Sequence, residues 1–155
     1  MATIDVAMES TSQNILEKLN NVNASVARYM AKASNNVQYT LLNTEKSAKI
    51  EEVIATAKVV GIFGTVRLTY TLRCNANRSG GISVVKNGDT TIYSSSVNNQ
   101  TTYKTITKDI QVVDGDVLEF KLVGASNAYN GYCNLITFSF DVEELNENTF
   151  IIGTS

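Results

Sequence analysis

The sequence predicts an α+β protein organised by segment, with N-terminal helices followed by an all-β antiparallel sandwich or jelly roll. All nine glycines lie beyond residue 58, whereas the residues before it favour Ala, Asn, Glu and Lys. The spacing of apolar residues changes in the same region from about 3.5 residues to about two. We therefore expect a helical oligomerisation or anchoring region over residues 1–58, an antiparallel β-sandwich over 59–143, and a C-terminal arm or edge strand over 144–155.

A helical seam is predicted in the first region. Six residues are spaced alternately four and three apart, namely Ile15, Leu19, Val22, Val26, Tyr29 and Ala33. This is the spacing of a short coiled coil, and so narrow a stripe favours a helix that packs on copies of itself as an oligomer interface. The alternative is an amphipathic helix that lies on its own sandwich. The seam residues do not distinguish a dimer from a trimer.

A second helix is predicted after a break at residues 34–36. Thr44 is suited to the N-cap of this helix, and the apolar face consists of Ile50, Val53, Ile54 and Ala57. The short connection between the two helices leaves two arrangements open, a helical hairpin and a continuous stalk.

Beyond residue 60 the sequence predicts β-strands joined by tight turns. The clearest strand alternates apolar residues from Val66 to Cys74 with Arg and Thr, which indicates one buried face and one solvated face. Asn87-Gly88 is a strong hairpin signal, and Asp114-Gly115-Asp116 marks another turn. The remaining predicted strands are 82–86, 90–94, 101–113, 117–123 and 132–142. Short strands with no helix between them are typical of a sandwich or jelly roll.

The composition argues against the common catalytic and metal-binding chemistries. The chain has no histidine, the commonest general base and metal ligand. Its two cysteines, Cys74 and Cys133, lack Cys-x-x-Cys spacing, and buried reduced thiols are favoured over a disulfide. Asp114 and Asp116 alone lack a full calcium ligand set, so a plain turn is favoured there. We predict a protein that is not an enzyme and has no catalytic residues, cofactor or metal.

Charge and hydropathy give no indication of a nucleic-acid or membrane partner. The net charge is −2, so no basic surface is expected. No run of about 18 apolar residues could span a membrane. The N-terminus lacks the pattern of a signal peptide, so we expect synthesis in a cytoplasm.

Tyrosines are the best candidates for a ligand-binding surface. The four candidates are Tyr93, Tyr103, Tyr129 and Tyr132. Tyrosine with Asn and Ser makes a recognition surface at low entropic cost, and a polar loop spans residues 124–131. The predicted ligand surface is therefore Tyr129, Asn130 and Tyr132. The alternative for Tyr93, Tyr103 and Tyr132 is packing between neighbouring strands.

The segment from residue 64 to residue 142 resembles a β-sandwich module of tail, fibre and decoration proteins from phages and prophages of Gram-positive bacteria. The shared pattern is a strand that opens with Gly-x-Val-Arg at 64–67, a Lys-Asn-Gly hairpin at 86–88 and a Gly-Asp turn at 115–116. The first twenty residues are similar to the N-termini of small clostridial prophage structural proteins.

This resemblance implies a non-enzymatic virion protein, a fibre, tip or decoration subunit of a phage or phage-tail-like particle. It favours a homotrimer that binds other virion proteins through its N-terminal region. The sandwich would then point outward, for attachment to a glycan of the host cell surface. A head decoration or head fibre protein of the capsid is the alternative within this class. A soluble carbohydrate-binding module is the alternative from another class.

Overall fold

A computed structural model describes residues 29–144. In this range the chain forms ten β-strands and no helix. The strands are β1 (Tyr29–Leu42), β2 (Lys46–Ala48), β3 (Glu52–Lys58), β4 (Ile62–Cys74), β5 (Ser79–Lys86), β6 (Thr90–Asn98), β7 (Lys104–Val112), β8 (Val117–Gly124), β9 (Gly131–Cys133) and β10 (Ile136–Glu144).

The strands form two sheets that pack face to face, which confirms the predicted sandwich. In the six-stranded sheet the order is β1-β10-β4-β9-β2, and β7 also pairs with β4. The four-stranded sheet has the order β3-β8-β5-β6. The inward-facing residues of both sheets form one core, which includes Leu68, Tyr70, Leu72, Phe120, Leu122 and Ile136, each 0% exposed. The alternation predicted for β4 is observed, because its even-numbered residues from Val66 to Cys74 are buried.

The predicted N-terminal helices are wrong wherever the structure describes the chain. Tyr29 and Ala33, which were assigned to the helical seam, lie in strand β1. The other four seam residues, Ile15, Leu19, Val22 and Val26, lie outside the described residues, and their role as an oligomer interface stays a prediction. Strands β1 to β3 precede residue 59 and belong to the same two sheets, so the sandwich begins well before that residue.

The second predicted helix, over residues 44–57, is replaced by strands β2 and β3. Val53, Ile54 and Ala57 lie in the edge strand β3, whose pairing with β8 shifts register between Val53 and Ala55, and Ile50 lies in the bend before it. Ile50 and Val53 are 63% and 44% exposed, so the supposed helix face is not a single buried surface. The β-branched residues of β3 favour strand over helix, and pairing with β8 outweighs the helix-like spacing.

Glycine at position 64 lets the start of β1 enter the six-stranded sheet. Ala31 lies opposite both Val142 of β10 and Gly64 of β4, and its pairing with β4 is parallel. Gly64 has a φ of 119°, and a Cβ built on it would lie 2.4 Å from the carbonyl oxygen of Ala31. Only glycine fits this backbone conformation and this close approach.

The turns form as the sequence predicts. Asn87 and Gly88 have φ values of 54° and 87° in the turn between the paired residues Lys86 and Thr90, a conformation that asparagine and glycine adopt most readily. In the Asp114-Gly115-Asp116 turn, Asp114 accepts a hydrogen bond from the Gly61 amide at 2.8 Å. Among the residues that the structure describes, no group of three or more Cys, Asp or Glu side chains is placed to hold a metal ion.

Asp116 is a buried carboxylate that stabilises the turn before β8. It is 4% exposed, accepts a hydrogen bond from the Val113 amide at 2.9 Å, and pairs with the Lys86 ammonium at 2.9 Å. Burial acts to raise the pKa of this carboxyl, but the Val113 amide, Lys86 and Asn87 outweigh it and hold the pKa below its usual value. A lowered pKa in the folded state contributes stability above the unfolded-state pKa of about 3.9, and that contribution is lost as the pH falls further.

We expect Asp116→Asn to lower the free energy of unfolding at pH 7 by about 2 kcal/mol, because a buried charge-assisted network is broken. At pH 3 the difference from wild type should shrink, because this pH lies below the unfolded-state pKa of about 3.9 and the unfolded chain then takes up the proton. Urea unfolding at the two pH values measures both effects. Asp89→Asn is the control, because Asp89 lies exposed in the neighbouring hairpin. Equal losses in the two variants at pH 7 would contradict the structural role of Asp116.

Both cysteines are buried and free, and they face the core from neighbouring strands. Burial raises the pKa of the Cys133 thiol to about 11. The thiolate is the reactive form, so Cys133 is expected to resist alkylation in the folded protein. Iodoacetamide at pH 8, followed by mass spectrometry of peptides, should label Cys133 only after denaturation. Rapid labelling of the native protein would mean that β9 does not pack as described.

Candidate ligand-binding surface

Three strands meet at one end of the six-stranded sheet and bring polar and aromatic side chains to its outer face. Arg73 of β4 lies opposite Tyr132 of β9, which in turn lies opposite Ser47 of β2. Tyr103 immediately precedes β7 on the other side of β4, and Glu45 immediately precedes β2. We refer to Glu45, Arg73, Tyr103 and Tyr132 as the tyrosine–arginine cluster.

Arg73 is the centre of the cluster. Its guanidinium carbon lies 3.7 Å from the centroid of the Tyr132 ring and 5.1 Å from that of Tyr103, within the range of cation–π contacts. Its Nη2 donates a hydrogen bond to Glu45 Oε2 at 2.9 Å. The hydroxyl of Tyr103 donates to the same oxygen. Each of the four side chains is therefore held by at least one other member.

The cluster has fixed charges near neutral pH. The hydrogen bond from Tyr103, and then that from Arg73, holds the pKa of Glu45 below its usual value. Burial, together with the bond to Glu45, raises the pKa of Tyr103 to about 12. Near pH 7 the cluster thus presents the Glu45 carboxylate, the Arg73 guanidinium and the neutral Tyr103 hydroxyl beside the Tyr132 ring, and none of the first three groups exchanges a proton in that range.

A second arginine–tyrosine pair lies beyond the end of β4. The guanidinium carbon of Arg78 lies 4.0 Å from the Tyr129 ring centroid, and Arg78 Nη2 donates to the Tyr129 hydroxyl at 2.9 Å. The Asn130 amide donates a hydrogen bond to Asn75 Oδ1 at 2.8 Å, which connects the loop between β8 and β9 to the loop between β4 and β5. Asn77, which adopts a positive φ of 57°, donates its amide to Asn99 Oδ1. We refer to this group of residues as the asparagine-rich tip, which consists of Asn75, Asn77, Arg78, Asn99, Tyr129 and Asn130.

The structure places the predicted ligand surface at this end of the sandwich but divides it. Tyr129 and Asn130 belong to the asparagine-rich tip, whereas Tyr132 belongs to the tyrosine–arginine cluster. Tyr132 is half-buried on the outer face, while Cys133 and Ile136 are both buried, so the side-chain alternation changes phase at residues 134–135. Tyr93 lies elsewhere, in β6 of the other sheet, packed against the core with Lys108 at 5.5 Å from its ring.

Sequence reasoning missed Glu45, Arg73 and Arg78. Arg73 was assigned only to the solvated face of a strand, and Glu45 to a helix. No local pattern signals the cluster, because Glu45 is 28 residues from Arg73 and 58 residues from Tyr103.

None of the described residues forms a helix long and apolar enough to cross a membrane. No protein-family model and no curated protein matches the chain.

Three solved structures with a similar arrangement of strands are distant from this chain in sequence. CBM35 from Cellvibrio japonicus Abf62 is 19% identical with a TM-score of 0.44, over 79% of this chain and 92% of that one. The CBM36-1 domain of a multidomain xylanase from the hindgut metagenome of Trinervitermes trinervoides is 15% identical with a TM-score of 0.43, over 70% and 84%. A chain of the acidic stable capsid of Helicobacter pylori bacteriophage KHP30 is 15% identical with a TM-score of 0.35, over 71% and 99%. Likenesses this distant assign no function.

Proposed function

We propose that this protein is a non-enzymatic β-sandwich display module that binds a glycan through the tyrosine–arginine cluster. The observation that carries the proposal is the arrangement of two tyrosine rings around one guanidinium, with a carboxylate bonded to both Arg73 and Tyr103. The asparagine-rich tip would extend the same surface.

The chemistry of the cluster matches that of a sugar. A sugar ring presents apolar C–H faces and a rim of hydroxyl groups that donate and accept hydrogen bonds. Tyrosine rings offer an apolar face and a polar end, and the planar Glu45 and Arg73 groups accept and donate in fixed directions. Hydrogen bonds to charged partners are stronger than those between neutral groups.

Preorganisation favours binding at this surface. Side chains that are already held by stacking and hydrogen bonds lose little conformational freedom when a ligand binds, which would otherwise cost about 0.5–1.5 kcal/mol for each mobile side chain. Arg73 and Glu45 would otherwise be mobile, and their mutual ion pair at 2.9 Å fixes both.

The directions in which the pKa values of Glu45 and Tyr103 are shifted favour ligand binding over catalysis at the cluster. The pKa of Glu45 is lowered and that of Tyr103 is raised to about 12, so neither group is suited to proton transfer near pH 7. A general acid of a glycoside hydrolase needs the opposite shift, a carboxyl whose pKa is raised.

The position of the cluster supports a module that presents this surface away from the point where it is attached. Strand β1 begins and strand β10 ends beside Ile62, at the start of β4, whereas Arg73 lies near the end of the same strand. Eleven residues of extended chain span roughly 35 Å. Residues 29 and 144 therefore lie at one end of the sandwich, and the candidate surface occupies the other.

A glycan array tests the proposal. Full-length protein, labelled at an added terminal tag, should bind a defined group of bacterial or host-surface glycans. The Arg73→Ala variant, at the same concentration, should lose that signal. An array that stays silent with folded wild-type protein would count against glycan binding, and turnover of a bound polysaccharide would contradict the non-enzymatic part of the proposal.

We further propose that the module is carried on a phage or phage-tail-like particle as a fibre, tip or decoration subunit, on the tail or on the capsid. The separation of Tyr29 and Glu144 from the candidate surface favours an attached, outward-pointing module, and the sequence resemblance motivates the placement. Mass spectrometry of particles purified from the encoding strain should detect the chain in stoichiometric amounts with other virion proteins. Light scattering of the full-length protein should give the mass of a trimer. Absence from intact particles would contradict the placement.

A further inference from the structure

Arg78 differs from the other arginines that the structure describes, because it has no carboxylate partner among the described residues. Arg67 pairs with Asp109 and Arg73 pairs with Glu45, both at 2.9 Å. Arg78 is exposed, and its recorded side-chain partner is a tyrosine instead of an acid. The asparagine-rich tip therefore carries a positive charge that this part of the chain does not neutralise.

The loops around Arg78 contain no acidic residue. They are the three connections at this end of the sandwich, over residues 75–78, 99–103 and 125–130. Arg78 is the only charged residue in them. The whole chain has a net charge of −2, so the tip is locally positive on a protein that is slightly negative. A local charge of this kind attracts anions.

Arg78 is held in place before any ligand binds. Its guanidinium stacks on the Tyr129 ring, with 4.0 Å between the guanidinium carbon and the ring centroid. Its backbone amide donates to the Asn75 carbonyl oxygen at 3.1 Å, and its carbonyl oxygen accepts from the Asn99 amide at 2.7 Å. A guanidinium has five N–H donors in a planar fork that matches a carboxylate or a phosphate. The bond to the Tyr129 hydroxyl uses one of them.

Two asparagine side chains add further donors. Asn75 Oδ1 accepts from the Asn130 amide, and Asn99 Oδ1 accepts from the Asn77 amide, both at 2.8 Å. These bonds fix the two side chains through their oxygens. Their Nδ2 groups donate to no acceptor within the part of the chain that the structure describes. The tip thus offers hydrogen-bond donors in excess of acceptors, which suits an anion.

We propose that the asparagine-rich tip is an anion subsite that binds a carboxylate or phosphate group carried by the glycan. The proposal rests on the proposed function, since the tyrosine–arginine cluster would hold the sugar ring beside this group. Tyr129 precedes Tyr132 by three residues, so their Cα atoms lie within about 11 Å. A short oligosaccharide spans that separation and can contact both surfaces.

Charge discrimination falls to Arg78 because the charge of the cluster is already balanced. Glu45 neutralises Arg73 through their ion pair at 2.9 Å. The cluster can therefore stack on a neutral or an acidic sugar, whereas the tip favours a ligand that brings a negative charge. The expected ligand class is an acidic glycan.

An array of paired oligosaccharides tests the proposal. Each acid, such as trigalacturonic acid, is printed beside its methyl ester, and each phosphorylated oligosaccharide beside its dephosphorylated form. Full-length protein should bind the charged member of a recognised pair roughly tenfold more tightly, the size of one charge-assisted hydrogen bond. Arg78→Gln should bind both members equally.

Lys49→Gln is the control, because it removes the same charge from an exposed residue at the same end of the sandwich. The Lys49 carbonyl oxygen accepts from the Gly124 amide, which places it beside the start of the loop over 125–130. This variant should keep the preference for the charged member. Equal binding of both members by the wild type would overturn the anion subsite but leave glycan binding intact. Loss of the preference in Lys49→Gln as well would overturn its assignment to Arg78.

Inorganic phosphate tests the subsite without a glycan. Added to ¹⁵N-labelled full-length protein at constant ionic strength, it should shift the Arg78 Nε–H signal and the side-chain amide signals of Asn75 and Asn99. Arg78→Gln should abolish the shifts of the two asparagines. These shifts together with a silent array would support the subsite and count against glycan binding. No shifts in the wild type would overturn the subsite, whatever the array shows.

Discussion

Replacing Gly64 by alanine is expected to lower the free energy of unfolding by roughly 3 kcal/mol or more, since it combines backbone strain with a steric clash. The φ of 119° is unfavourable for any residue with a Cβ. The new Cβ would also lie 2.4 Å from the Ala31 carbonyl oxygen, so β1 would have to move out of the sheet. Urea unfolding followed by circular dichroism measures the loss.

Gly88→Ala is the control that separates the cost of backbone strain from the cost of the steric clash. Gly88 also has a positive φ, of 87°, but a Cβ there would meet nothing within 4 Å. This variant should lose only about 1 kcal/mol, the cost of the backbone conformation alone. If Gly64→Ala were no less stable than Gly88→Ala, the start of β1 could not lie against β4.

Removing the side chain of Arg73 or of Tyr132 should weaken glycan binding more than tenfold. Each tenfold loss corresponds to about 1.4 kcal/mol, and loss of one aromatic stacking contact or one charge-assisted hydrogen bond is of this size or larger. Arg73→Ala also releases Glu45 and both rings from their fixed positions. Titration calorimetry with the oligosaccharide that gives the strongest array signal measures the affinity.

Arg67→Ala is the matched control for Arg73→Ala. Both arginines lie on the outer face of β4, and both form ion pairs at 2.9 Å, Arg67 with Asp109 and Arg73 with Glu45. Within residues 29–144 no aromatic ring lies over the Arg67 guanidinium, and Arg67 lies six residues from Arg73 along the strand. Its replacement should change the affinity less than twofold. Equal effects from the two variants would indicate a general change of charge.

The strands beyond residue 60 could be predicted because their sequence signals are local. The alternation from Val66 to Cys74 and the Asn87-Gly88 turn each depend on residues adjacent in sequence, and both are found in the structure. The strands before residue 59 carry a misleading signal instead. Ile50, Val53, Ile54 and Ala57 have helical spacing, but the last three lie in an edge strand with a register shift, and only the pairing partner β8 reveals it.

The candidate surface was predicted only in part, for the same reason. Tyr129 and Tyr132 stood out because tyrosine in or beside a polar loop is a local feature. The position of Tyr132 depends on the change of phase at residues 134–135, without which the simple alternation would place its side chain on the same side as Ile136 and Phe138. Glu45 and Arg73 meet only because β2, β9 and β4 are neighbours in one sheet, which no sequence spacing encodes.

Glycan binding at the tyrosine–arginine cluster is tested most directly by mapping amide chemical shifts in ¹⁵N-labelled protein during titration with the oligosaccharide selected by the array. The largest shifts are expected at Glu45, Arg73, Tyr103 and Tyr132 and in the loops of the asparagine-rich tip, with little change at Ile62 and Lys58 at the opposite end. Shifts centred on Ile62 and Lys58, or no shifts at saturating oligosaccharide, would contradict it.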